Sequence, residues 1–142
     1  MTGENVLASV SLFSGLDVGA LESLEAFTFR SSFAPGELIV EEGRTGNGLY
    51  VILSGRAEVI RKLPDDTIHV LRTMGPGDPF GELALLGEWP RTATVRAVDE
   101  TECLGMDRWI FLDYLAKHPQ LAIRMLQVLA KRLADTPDRL AE

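Results

Sequence analysis

Phe80-Gly81-Glu82-Leu83-Ala84-Leu85-Leu86-Gly87-Glu88-Trp89-Pro90-Arg91-Thr92-Ala93-Thr94-Val95 is the stretch of this chain that says most. Around it the hydropathy pattern is that of strands, yet Leu83 to Leu86 are helix formers. The spacing therefore predicts one turn of helix with Gly81 and Glu82 at its N-terminus. Free backbone N–H groups and the helix dipole at such an end favour an anion. Arg91 is read as the start of the next strand, nine positions after Glu82. A guanidinium beside a helix N-terminus makes a compact phosphate site, because its planar fork can hold two oxygens. Thr92 adds a hydroxyl donor. Glu82 would repel a bare phosphate, but a carboxylate accepts hydrogen bonds well from sugar hydroxyls. An anion site and a hydroxyl site a few ångströms apart describe a nucleotide ribose-phosphate.

Working outward, the strands come first. Leu38-Ile39-Val40, Leu49 to Leu53, Ala57 to Arg61, Thr67 to Arg72, Thr92 to Val98 and Glu102 to Met106 read as short strands. Pro35-Gly36, Gly43, Ser54-Gly55, Pro64-Asp65-Asp66 and Gly75-Pro76-Gly77 punctuate them. Gly46-Asn47-Gly48 is expected to form a tight turn with positive φ. Helical signals flank this region. Val6, Leu7, Val10, Leu12 and Phe13 cluster near the start, and Asp17 looks like an N-cap before Ala20, Leu21, Leu24 and Phe27. Asp107 opens a helix with the stripe Ile110, Phe111, Tyr114 and Leu115. Pro119 starts another, with Leu121, Met125, Val128, Leu129 and Leu133 on one face. The reading is one domain, mainly β with helical flanks. Helices occupy 1–28, a sandwich or jelly roll of about eight strands 29–106, and two helices 107–142.

Composition narrows the function. With 14 Lys and Arg against 21 Asp and Glu, the net charge is −7 over 142 residues. That balance argues against nucleic-acid binding by this chain, which usually needs a basic face. An acidic chain that holds an anion must do so in a local pocket. No apolar run approaches the roughly 20 residues of a membrane span, and the N-terminus has no secretory pattern. A cytoplasmic location is expected. Cys103 is the sole cysteine, so no intrachain disulfide or Cys-based metal site is expected, and it reads as a small buried hydrophobe. His69 and His118 are far apart in sequence, which leaves a metal-dependent enzyme of the cupin type without its clustered histidines. No nucleophile triad or Walker-type loop is visible, so enzymatic activity is not expected.

The quoted stretch closely resembles the phosphate-binding cassette of the cyclic nucleotide-binding domain family, of the bacterial Crp and protein kinase A regulatory-subunit type. The matching residues are Phe80-Gly81-Glu82-Leu83-Ala84 and Pro90-Arg91-Thr92-Ala93-Thr94-Val95. Pro35-Gly36-Glu37, Glu42-Gly43, Leu49-Tyr50-Val51 and Ser54-Gly55 stand where the family's early strand signature stands, so the likeness covers nearly the whole chain. The resemblance implies a β-roll (a double-stranded β-helix) with N-terminal helices and C-terminal B and C helices. It also implies roles within the cassette, residues 80–95. Glu82 would accept from the ribose 2′-hydroxyl, and Gly81 would admit the backbone closely. Leu83 and Ala84 would offer N–H groups to the cyclic phosphate, and Arg91 would neutralise it with help from Thr92. Trp89 would pack on the loop or shield the ligand. In relatives of the transcription-regulator type the C helix also lends polar groups to the base, and Arg132 and Thr136 fall near those positions. Pro137 departs from that pattern and is expected to end the helix early.

The expected function is a cyclic nucleotide sensor, for cAMP in preference to cGMP, although Thr92 also suits guanine. Phosphate engagement would order the turn at Leu83 to Leu86, and the two C-terminal helices would repack. The last helix has an apolar face that would close over the sheet or pair with a second copy. Only nine residues follow Leu133, too few for a helix-turn-helix. The output would then be an effector protein, a further part of a longer polypeptide, or a change in self-association. The alternative is a ligand-free structural or dimerisation module of the same fold.

Overall fold

Strands too short to fold alone are here arranged as two antiparallel layers, in a computed structural model that describes residues 5–136. In chain order they are β1 (Phe29–Phe33), β2 (Leu38–Val40), β3 (Gly48–Ser54), β4 (Ala57–Lys62), β5 (Ile68–Met74), β6 (Pro79–Phe80), β7 (Thr94–Ala97) and β8 (Thr101–Asp107). One sheet runs β1-β8-β3-β6 and the other β2-β7-β4-β5. Short 3₁₀ turns, Val6–Ser9 and Ser11–Phe13, precede helix α1 (Val18–Glu25). Helices α2 (Arg108–Lys117) and α3 (Pro119–Ala134) follow β8. This is the β-roll with helical flanks that the sequence implies.

The continuous apolar run of β3 follows from its burial on both faces. Leu49 and Val51, with Leu104 and Met106 of β8, join a core built with the helices around Phe13 and Phe111. Ile52 and Cys103 point the other way, into a core shared with Ile39, Ala57, Met74, Val95 and Ala97 of the second sheet. The helices begin where their caps stand. The Asp17 carboxylate accepts from the Ala20 N–H at 2.8 Å, and Asp107 accepts from Trp109 and Ile110 at 2.8 and 3.3 Å. Pro119 occupies the first turn of α3, where its missing N–H costs nothing.

Four local readings need correction. Neither Gly46 nor Gly48 has positive φ, whereas Gly43 before them does, at +87°. Their lack of a side chain serves close approach instead, since a Cβ on Gly48 would run into the Met106 carbonyl. Phe27 lies beyond the end of α1 and is half-exposed. Arg91 and Thr92 precede β7 rather than opening it, because the Arg91 backbone bonds to residues 43 and 44 and not to a strand partner. On α2 the buried face is Phe111 and Tyr114 while Ile110 faces solvent, and on α3 Leu121 and Met125 are buried while Leu133 is exposed.

Cys103 is fully buried, and burial beside Glu102 pushes its thiol from the ordinary 9.0 up to about 11. A raised pKa means the folded state favours the neutral thiol. The resulting stabilisation is complete below pH 9 and is lost as pH climbs through 11. We expect no reaction of the native protein with a thiol-specific disulfide reagent at pH 8, and full reaction in denaturant. We also expect a shallower alkaline decline of thermal stability in Cys103→Ala than in wild type. An equal decline in both would contradict this account.

Candidate functional site

Gly81 takes a left-handed conformation, φ +78°, and launches the 3₁₀ turn Glu82–Leu85 directly from β6. Its missing side chain also makes room for Arg91, because a Cβ there would run into the guanidinium Nη1. A Cβ on Gly46 would likewise sit 2.6 Å from the Arg91 Nε. Arg91 therefore lies in a slot between two glycines, and its Nη2 donates to the Gly48 carbonyl at 2.8 Å. The backbone is anchored too. Arg91 N–H donates to the Arg44 carbonyl at 2.8 Å, and Gly43 N–H donates to the Arg91 carbonyl at 2.9 Å. Among the described residues no carboxylate pairs with Arg91. Partial burial lowers its pKa, offset in part by Tyr50.

Arg91 borders two clefts. One, of about 340 Å³, is lined by Gly81, Glu82, Leu83, Ala84, Trp89, Pro90, Arg91 and Thr92. It brings together six of the eight candidate residues, all from the quoted stretch. The other, of about 280 Å³, lies toward Thr45, Gly46 and Tyr50. Leu83 and Trp89 are half-exposed at the first cleft, and a Cβ on Gly87 would run into the Trp89 ring. The tryptophan thus packs on the loop while still lining the cleft. Thr92 is exposed, and its carbonyl accepts from Arg61 of β4 at 3.2 Å. The Ala84 N–H donates to the Gly81 carbonyl at 3.0 Å and so is already engaged.

Glu82 and Arg91 do not pair with each other. One Glu82 oxygen accepts from Ser11 Oγ and from Arg132 Nη2, each at 3.2 Å, and the other accepts from the Leu12 N–H at 3.0 Å. Arg132 Nη2 also donates to Ser11 Oγ. The second 3₁₀ turn and the last helix thus meet on this carboxylate. Arg132 reaches the site through Glu82, while the Thr136 hydroxyl turns back to the Arg132 carbonyl at 2.9 Å. Pro137 lies outside the described residues.

Comparison with known proteins identifies the family. The profile of the "Cyclic nucleotide-binding domain" family matches residues 30–118, well over half of the chain. This chain belongs to the cyclic nucleotide-binding domain family. It is 33% identical over 139 residues to the CRP-like cAMP-activated global transcriptional regulator of Mycobacterium tuberculosis, covering 98% of this chain and 62% of that one. It is 37% identical over 111 residues to a cAMP-dependent protein kinase regulatory subunit of Dictyostelium discoideum, covering 76% and 34%. This cyclic nucleotide-binding domain therefore spans less than two thirds of the length of those curated relatives. The crystal structure of the N-terminal domain of a transcriptional regulator from Streptomyces coelicolor superposes with a TM-score of 0.86 at 33% identity, covering 94% and 93%.

Sequence reasoning missed several residues of this cyclic nucleotide-binding domain. Ser11 and Leu12 carry no local signal for a contact 70 residues away. The role of Gly46 was hidden by its resemblance to a turn. Arg108 did carry a signal. A cation in the first turn of a helix opposes the dipole, so its presence asks for another reason.

We expect Gly46→Ala to displace the Arg91 guanidinium, since the new methyl group would lie 2.6 Å from Nε and 3.0 Å from the Ala84 Cβ. Gly46 has an ordinary φ, so the fold should tolerate the change. Cyclic nucleotide affinity should fall several-fold with the thermal midpoint little altered. Unchanged affinity would remove Gly46 from the site.

Proposed function

We propose that this chain is a cyclic nucleotide sensor, binding cAMP in preference to cGMP, and that it relays occupancy through α2 and α3. The observation that carries this reading is the Arg91 guanidinium. It is half-buried, without a carboxylate partner among the described residues, at the wall of a cleft of about 340 Å³. Burying a cation without a counter-ion is costly, and a phosphate in the cleft would remove that cost. Leu83 N–H and the Thr92 hydroxyl are the further donors we assign to the phosphate. Ala84 would contribute only by sharing its N–H with Gly81. The ribose 2′-hydroxyl would join Ser11, Leu12 and Arg132 at Glu82, or displace one of them. The names of two relatives, cAMP-activated and cAMP-dependent, support cAMP as the first ligand to test.

Calorimetric titration of ligand-stripped protein with cAMP and cGMP in parallel tests the reading. Saturable binding at micromolar affinity or better supports it, and the ratio of the two affinities settles the preference. A second reading, a ligand-free structural or dimerisation module, is favoured by the full engagement of Glu82 by the protein itself. Absence of heat with both nucleotides would select it.

The relay rests on a population shift, which needs the two helix arrangements to differ in ligand affinity. Hydrogen exchange across residues 108–134 should slow with saturating nucleotide, and identical exchange would defeat the relay. Ile123, Leu126 and Leu133 leave an apolar face on α3 exposed. We assign that face to a second copy of the chain, with an effector protein or a further domain as the recipient of the signal.

A further inference from the structure

Arg108 is the first residue of α2 and only 5% exposed, yet its partners lie far from the helix. Its Nη1 donates to the carbonyls of Gly46 at 2.7 Å, Ala84 at 3.2 Å and Gly87 at 3.2 Å. Its Nη2 meets Glu88, whose side chain is 59% exposed. The backbone adds a further tie, since the Arg108 N–H donates to the Asn47 carbonyl at 2.9 Å. One side chain thus binds the loop before β3, the end of the 3₁₀ turn, the stretch leading to Trp89, and α2.

As a stabilising device this arrangement is poor. The counter-ion is solvated, the cation opposes the helix dipole, and the buried Nε has no acceptor among the described residues. As a positioning device it is apt. Gly46 and the turn opened by Gly81 are the two walls of the Arg91 slot, and Arg108 holds carbonyls on both. We propose that Arg108 is the positioning residue that sets the width of the Arg91 slot and couples it to α2. This rests on the assignment of Arg91 to the ligand phosphate. Moving α2 drags the guanidinium from at least one wall, and closing the slot on a phosphate fixes the first turn of α2. Trp109, whose ring lies under the Arg108 guanidinium at 5.2 Å from its centroid, is the natural reporter of that movement.

The test compares wild type with Arg108→Met, which keeps the bulk, and Arg108→Lys, which keeps the charge but not the fork. Hydrogen exchange without ligand is the first readout. The bonded amides of Gly46, Ala84, Leu86 and Arg91 should lose at least tenfold protection, while β3 and β8 amides change only with global stability. Titration with cAMP and cGMP is the second, with affinity reduced at least tenfold in both variants. Should Arg108→Met fail to fold, Arg108→Lys carries both comparisons. Wild-type affinity in Arg108→Lys would overturn the proposal, because charge alone would then suffice. So would unchanged protection of the slot amides in either variant. If the wild-type chain takes up neither nucleotide, the sensor reading fails, and the exchange comparison alone decides whether Arg108 sets the slot.

Discussion

Arg91→Ala should weaken cyclic nucleotide binding at least tenfold while leaving the fold intact. The size follows from the bonds at stake. A hydrogen bond to a charged group contributes about 1.5–3 kcal/mol, against about 1 for a neutral one, and about 1.4 kcal/mol corresponds to a factor of ten. Survival of the fold follows from the backbone. The links of residue 91 to Gly43 and Arg44 use only main-chain atoms, which alanine retains. The structural costs are the lost contact to the Gly48 carbonyl and the emptied slot between Gly46 and Gly81. Thr92→Ala should weaken binding less, since it removes a neutral donor. Calorimetry on the two variants beside thermal melts separates affinity from stability. Equal affinity in Arg91→Ala and wild type would sink the site.

Phe111→Ala should cost about 3–5 kcal/mol of stability, as large-to-small changes in packed cores do. Phe111 is completely buried, 5.8 Å from Phe13 in ring-centroid distance, in the core that joins the helices to β3 and β8. The cavity would open where α2 meets the N-terminal turns. Ile110→Ala is the control from the same helix. Ile110 is 45% exposed, so its truncation should stay within about 0.5 kcal/mol, as for surface changes generally. Denaturant unfolding with equal slopes would give both values. A loss below about 1 kcal/mol for Phe111→Ala would mean that the helical layer is not a packed part of the core.

The contrast between those neighbours shows where the sequence speaks and where it is silent. Helical spacing assigns Ile110 and Phe111 to one stripe, because both are apolar and adjacent. Which of them is buried depends on the angle at which α2 meets β8, and that is a tertiary property. The β-roll itself was legible, since alternation, turn residues and the run Leu49 to Leu53 all report local geometry. The Arg91 cleft was legible for the same reason, as its lining comes from one continuous segment. Gly46 and Gly48 were misread because glycine serves positive φ and close approach alike, and a sequence does not distinguish them. Ser11 and Leu12 reach the site from another element, so only the fold reveals them, and it is the fold that gives the partners of Arg108.

The carboxylate of Glu82 has a history as well as a position. Its partner Leu12 lies 70 residues earlier in the chain and Arg132 lies 50 later. Contacts of such separation carry the entropy cost of closing a long loop, as do the pairs of β1 with β8 that close the roll. During synthesis the strands from β1 to β8 are complete before Arg132 has been added. Until then Glu82 lacks the partner that the last helix supplies. The carboxylate is thus held from both ends of the chain, and its surroundings are complete when the last helix is in place.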